Sequence, residues 1–242
     1  MDRSKTYDNY IDAFLAGGSE EAVLTRFFLD GLDDSFKKRY SEDEQYSAGR
    51  KVLSILHDTH ALHILDILDE NSGGIKPVVT SGIPQFSEFT DADRVLRILL
   101  ANEGCDFEYI GYNFNKNAQE SAQYKYGENH YKLCYQLGLV EWAGKARISK
   151  KTRVSRLGMA YLEYPDEDRE TLQAKLCFRL PVIQRMLTMA KHGRVDGMKM
   201  LLDAGLSSST AVRRRSSMRQ MLRAVSAILP DSRDYTGNID WV

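Results

Sequence analysis

Apolar residues recur at helical spacing through most of this chain, and strand-like segments show in one place only. Tyr10, Phe14 and Leu15 share a face, and Ser19-Glu20-Glu21 opens a helix that runs through Phe28 and Leu32. Val52, Leu53, Ile55, Leu56, Leu62, Ile64, Leu65 and Leu68 mark a long helical segment after it. Asn71-Ser72-Gly73-Gly74 stops this pattern, and Gly74 to Pro84, which holds Pro77 and Val78-Val79, reads as an irregular or extended connector. From Thr90, an N-cap ahead of acidic Asp91 and Asp93, a helix carries Val95, Leu96, Ile98, Leu99 and Leu100 and ends at Gly104.

Phe107, Tyr109, Ile110 and Tyr112 define a second short helix, and a polar stretch rich in Asn and Gln follows. Glu128 to Leu137 is then expected as a third, with Tyr131, Cys134 and Leu137 facing in and His130, Lys132 and Gln136 facing out. Leu139 to Trp142 and Thr152 to Val154 read as strands joined by the turn Ala143 to Lys151, and Ser155 caps a helix from Leu157 to Tyr164. Farther on, a helix from near Glu170 to Met189 meets a breaker at Pro181. Val195 to Leu202 forms a short helix closed by Gly205, Ser207 to Leu229 forms the last long one, and residues 230–242 are expected as an exposed tail.

These elements divide into an acidic N-terminal helical module (1–72), a unit over 85–165, a second over 166–229, and the tail. At 242 residues, 43% hydrophobic and 28% charged, the chain has the composition of a globular protein with a real core. The opening Met1-Asp2-Arg3-Ser4-Lys5 is polar and the longest apolar stretches, such as Ile98 to Ala101, are too short to span a bilayer, so a cytoplasmic, non-membrane protein is expected. Cys105, Cys134 and Cys177 are odd in number and widely spaced, which fits reduced structural thiols.

The net charge of −1 conceals an asymmetry. Residues 1–70 hold 8 basic and 15 acidic side chains, whereas residues 143–229 hold 18 and 7. A basic block of this size is the footprint of a polyanion surface, because each Lys or Arg set against a phosphate releases condensed counterions. The alternative is a salt-bridged surface that docks onto the acidic N-terminal part.

The last helix shows what the basic block offers. At about 100° per residue, Ala211, Met218, Leu222, Val225 and Leu229 fall on one side, and Ser209, Arg213, Ser216, Gln220 and Arg223 on the other, with Arg219 on its flank. Arg presents a planar fork matched to guanine's major-groove acceptors, Gln matches adenine, and Ser207, Ser208, Ser209 and Thr210 place hydroxyls at a helix start suited to phosphate. Arg214 and Arg215 turn toward the core side, from where they snorkel to its edge or reach the phosphate backbone.

The hairpin turn carries Lys145, Arg147, Lys150, Lys151 and Arg153 around Gly144, a density suited to phosphate contact, although lysines at a hairpin edge also discourage strand-to-strand aggregation. The helix before it is a weaker reader, since Glu128 repels phosphate and Lys132 is its main cation. His57, His60 and His63 with Asp58 and Asp66 are considered as a metal cluster, but the outer two histidines lie about 120° apart around one helix, so no metal and no cofactor is expected. Walker, Gly-x-Gly-x-x-Gly, Gly-x-Ser-x-Gly and His-Glu-x-x-His signatures are missing, and no enzymatic activity is expected.

Leu137-Gly138-Leu139-Val140, the basic turn and Arg153-Val154-Ser155-Arg156-Leu157-Gly158 together resemble the closing pattern of bacterial winged-helix proteins, with Ser155 where threonine is usual. Gly205-Leu206-Ser207-Ser208-Ser209-Thr210-Ala211-Val212-Arg213-Arg214-Arg215 resembles the recognition helix of paired helix-turn-helix modules attached to bacterial restriction and phage-defence proteins. The resemblance covers roughly residues 90–229 and implies a mostly α fold: a winged helix with a short β-hairpin wing, a second helix-turn-helix unit and the N-terminal helical module. It implies a double-stranded DNA-binding protein, either a transcriptional regulator or the DNA-recognition component of a defence or mobile-element system. The competing expectation is a protein–protein adaptor whose basic face binds an acidic partner. The N-terminal module, a poor DNA surface, is the candidate for homodimerisation or partner docking.

Overall fold

A computed structural model describes residues 6–30, 34–86, 88–89, 92–143 and 151–241. The chain is mostly helical, with a small two-stranded antiparallel sheet. The N-terminal helices are α1 (Tyr10–Leu15), α2 (Glu20–Leu29), α3 (Glu42–Asp58) and α4 (Ala61–Glu70). Ser19 caps α2 by accepting from the Ala22 N–H, and Ser41 with Glu44 forms a reciprocal capping box on α3. The single long helix expected over 52–68 is two: Thr59 Oγ1 donates to the Ile55 carbonyl at 2.6 Å, and His60 becomes the N-cap of α4, its Nδ1 accepting from the Leu62 N–H at 3.3 Å. His57, His60 and His63 therefore do not share a helix.

The middle of the chain builds α5 (Ala92–Ala101), α6 (Phe107–Phe114), α7 (Glu120–Leu137), the hairpin β1 (Val140–Ala143) and β2 (Lys151–Val154), and α8 (Arg156–Tyr161). The strands pair antiparallel with Val140 opposite Val154 and Trp142 opposite Thr152. The expected cap Thr90 and the acidic Asp91 after it lie outside the described residues. Helix α7 starts eight residues before the Glu128 expected from the sequence, because packing on α6 overrides weak local propensity. The two helices cross at glycines: a Cβ added to Gly111 would lie 1.8 Å from the Gln123 carbonyl oxygen, and one on Gly127 would lie 1.9 Å from that of Phe107. His130 and Gln136 are buried, at 1% and 3% exposure, which corrects their expected outward orientation: Phe114 of α6 stacks on His130, and the connector's Ser81 carbonyl takes up Gln136.

Pro181 divides the next segment cleanly. Helix α9 (Asp166–Leu176) ends in a 3-10 turn over Cys177–Arg179, and Pro181 starts α10 (Pro181–His192), where its missing N–H costs nothing. Then come β3 (Val195–Asp196), α11 (Gly197–Asp203), α12 (Ser208–Ser226) and β4 (Ile239–Asp240). The C-terminal residues differ from the exposed tail expected for 230–242. β4 pairs parallel with β3, Ile239 is buried, the Asn238 side chain donates to the Ala190 carbonyl at 2.8 Å, and the Trp241 ring lies against Gly197. A few apolar residues at the very end, too sparse to register as a periodic element, are enough to dock it.

One buried cluster runs from Tyr10 through the α3, α7 and α10 apolar faces to Ile239. Helix α3 packs on α8, with Gly49 close to the Leu157 backbone. At its centre lies Arg179, 1% exposed. Its Nη1 donates to the Leu137 carbonyl at 3.3 Å, its Nη2 lies 3.6 Å from Asp34 Oδ1, and its guanidinium covers the Phe27 ring at 4.5 Å. Gly138 caps α7 with φ of +84°, and a Cβ there would lie 1.7 Å from Arg179 Nη1. Asp34 also accepts from Lys37 Nζ at 3.0 Å, and these two cations hold its carboxyl below the usual range against the opposing effect of burial. Asp30 differs: burial raises its pKa to about 6, against the pull of the Tyr10 N–H it accepts from.

Two outcomes are expected. Arg179→Ala leaves Asp34 buried with one cation fewer and should lower the unfolding free energy by about 3–5 kcal/mol in chemical denaturation. Asp30 has a folded pKa above its unfolded value, so its contribution is full below pH ~4 and is lost as pH rises through ~6. Asp30→Asn, which keeps an acceptor for Tyr10, should remove that slope and be more stable than the parent at pH 7, by up to ~3 kcal/mol. Denaturation midpoints of both proteins from pH 4 to 8 check it.

Candidate nucleic-acid interface

Helix α12 begins where Ser207 Oγ accepts from the Thr210 N–H, and Ser207, Ser208 and Ser209 are all exposed beside half-buried Thr210. The burial pattern follows the expected faces: Ala211, Met218, Leu222, Val225 and Leu229 are buried, while Arg213, Ser216, Arg219 and Arg223 are exposed. Arg213 Nη2 donates to Thr210 Oγ1 at 3.2 Å, which lays it along the first turn. The remaining polar residues of the helix face elsewhere. Arg214 is half-buried and donates to the carbonyls of Thr80 and Ile83. Arg215 Nη1 donates to the Trp241 carbonyl at 3.2 Å, so the docked C-terminus holds it.

Gln220 and Ser217 tie the helix to the connector. Ser217 Oγ accepts from the Phe86 N–H and donates to the Phe86 carbonyl, both at 3.0 Å, and Gln220 Oε1 accepts from the Phe89 N–H at 3.2 Å. Gln173 of α9 donates to the Phe89 carbonyl from the other side. The result is a polar cleft of about 510 Å³ between the exposed residues of α12 and Glu88 of the connector. Arg215, Ser216, Arg219, Gln220 and Arg223 line it. Neither Ser217 nor Glu88 is marked by the sequence, because nothing local links residues 86–89 to a helix so far along the chain.

Of the hairpin's expected cations, the described residues include Lys151 and Arg153. Lys145, Arg147 and Lys150 lie outside the described residues. Lys151 is exposed, whereas Arg153 sits 2.6 Å from Glu141 and 3.3 Å from Glu42. On α7, Lys132 is exposed but paired to Glu128 at 2.9 Å, and Glu128 also holds Lys125. Buried His130 stacks on both Phe114 and Tyr126, at centroid distances of 4.7 and 4.4 Å, and these two rings also touch each other at 5.7 Å; Gln136 donates to the Ser81 carbonyl.

Much of the basic block faces acidic groups of this same chain. Glu42 holds Arg153 and Arg156, Asp34 holds Arg179, and Lys191 lies 2.9 and 2.8 Å from Asp66 and Asp69. Lys175, 6% exposed, donates to the Leu56 and His57 carbonyls at the C-terminus of α3, and burial lowers its pKa. Among the described residues, Lys151, Arg219 and Arg223 are the basic side chains of 143–229 with no hydrogen-bond or ion-pair partner. His57 pairs with Asp58 and Asp168, and among the described residues no cluster of His, Cys, Asp and Glu is arranged to hold a metal. No helix of the described residues is long and apolar enough to cross a membrane. Compared with protein-family profiles, curated proteins and solved structures, the chain finds no match in any of the three.

Ser217→Ala should leave a buried N–H and a buried carbonyl of Phe86 without their partner and cost about 1–3 kcal/mol. Thermal unfolding checks the loss, and hydrogen exchange should show faster opening confined to the connector.

Proposed function

We propose that this protein binds double-stranded DNA through the outward face of α12. The observation that carries the reading is the pairing pattern: most described cations of the basic block are engaged internally, while Arg219 and Arg223 stand free on the same helix face as Arg213 and Ser216. Free guanidinium forks on a regular helix, with hydroxyls at its N-terminus, suit base edges and phosphates together. The order α11, a turn through Gly205, then α12 agrees with a helix-turn-helix whose second helix reads the groove.

In this reading the segment from α5 to α8 is a winged-helix unit, since three helices are followed by an antiparallel hairpin and a further helix. In the same reading the wing lies over the phosphate backbone, with exposed Lys151 facing it together with Lys145, Arg147 and Lys150 of the turn. A role as regulator or as the DNA-recognition part of a defence or mobile-element system follows from the same reading. The adaptor alternative draws on the same pairing pattern, because the basic block already recognises carboxylates.

The Arg213→Ala, Arg219→Ala, Arg223→Ala triple variant should fold as the parent does, because all three side chains are exposed. Each arginine taken from a base edge or a phosphate should cost about 1–3 kcal/mol of DNA affinity, and the slope of log affinity against log salt should fall by about 0.9 for each phosphate no longer neutralised. Fluorescence anisotropy on duplex DNA across a salt series measures both. Unchanged affinity would remove α12 as the reader, and tight binding of polyglutamate with none of duplex DNA would favour the adaptor.

A further inference from the structure

Glu88 is out of place on a surface meant only for phosphate. It is exposed, it forms part of the wall of the cleft that Arg215, Arg219 and Arg223 also line, and it makes no ion pair among the described residues. It is also held in place. Phe86 and Phe89, on either side, are 6% and 8% exposed, and their backbone groups are gripped by Ser217 and Gln220 of α12 itself. The carboxylate is thus carried between two residues whose backbone groups are bonded to the helix it faces, which keeps it on the same side of α12 as the arginines of the cleft.

An ionised carboxylate accepts hydrogen bonds and donates none. It repels a phosphate backbone pressed into the cleft, and it attracts an exocyclic amine. In the major groove, guanine shows acceptors that suit an arginine fork, and its partner cytosine shows an N4 amine that suits a carboxylate. Arginine donors and a carboxylate acceptor in one cleft match the two halves of one base pair. Resting on the DNA reading above, we infer that Glu88 is a specificity-determining residue, which selects a G·C pair in the groove contacted by α12 and weakens binding to DNA that lacks it.

The experiment is selection by the full-length chain from a randomised duplex library, with the parent and Glu88→Ala side by side, followed by anisotropy on the selected duplex and on one with that pair changed to A·T. The parent should enrich a G·C pair at one position and discriminate there by roughly 5- to 150-fold, the range that ~1–3 kcal/mol represents. Glu88→Ala should lose that discrimination and bind the A·T duplex more tightly than the parent does. Glu88→Gln, which keeps an acceptor oxygen without the charge, should retain part of the preference and bind mismatched DNA more tightly. If Glu88→Ala selects the same sequence with the same discrimination while Arg219→Ala and Arg223→Ala weaken binding, this inference falls and the α12 reading stands. If the parent captures no duplex at all, both fall.

Discussion

Arg179 carries a permanent positive charge at 1% exposure, and three separate parts of the chain are shaped to make that tolerable. Asp34 comes from the start of a 3-10 turn over Ser35–Arg39, α2 brings the face of Phe27, and the end of α7 brings the Leu137 carbonyl. Gly138 must be glycine for two reasons at once, its positive φ and the guanidinium where a Cβ would stand. A buried cation without these partners would destabilise the fold heavily, so the acidic N-terminal helices, the hairpin unit and the α9–α10 segment are held to one arrangement. The same charge pairing recurs at the surface, where Glu42 holds Arg153 and Arg156 and where Asp66 and Asp69 hold Lys191.

The connector over 75–89 has almost no regular structure, yet its backbone groups are well satisfied. Arg185 of α10 donates to the Ile75 and Lys76 carbonyls, Gln136 of α7 to Ser81, Arg214 of α12 to Thr80 and Ile83, and Ser217 closes on Phe86. With Gln173 of α9 on the Phe89 carbonyl, side chains from four helices thus replace the ladder that a strand would have supplied. The connector fixes how α12 stands relative to α7. It also explains why several polar residues of α7, α10 and α12 face inward although their residue types suggest a wet surface.

Local signals are strong enough to announce most of the elements. Ser19, Ser155 and Ser207 cap the helices that their sequence context predicts, Pro181 begins a helix where a break is expected, and the two strands of the hairpin lie where their short apolar runs place them. The outward face of α12 is legible for the same reason, since one residue type repeats at one period along nineteen helical residues. Local signals fail where the stabilising interaction is distant. The first two turns of α7 look like a polar loop until Gly111 and Gly127 are seen to let α6 approach, and His130 looks exposed until Phe114 stacks on it.

By itself, then, the sequence determined the helical class, the caps and breaks, the hairpin, and the charge asymmetry between the two ends of the chain, because each of these follows from residues within a few positions of one another. Only the tertiary structure decided which cations are free. Arg153, Arg179 and Arg214 are indistinguishable in composition from Arg219 and Arg223, and what separates them is the carboxylate or carbonyl that folding brings within hydrogen-bond reach. The docking of the C-terminal residues on β3 and the placing of Glu88 beside α12 have the same cause: both depend on pairings between residues far apart in the chain, which no local periodicity records.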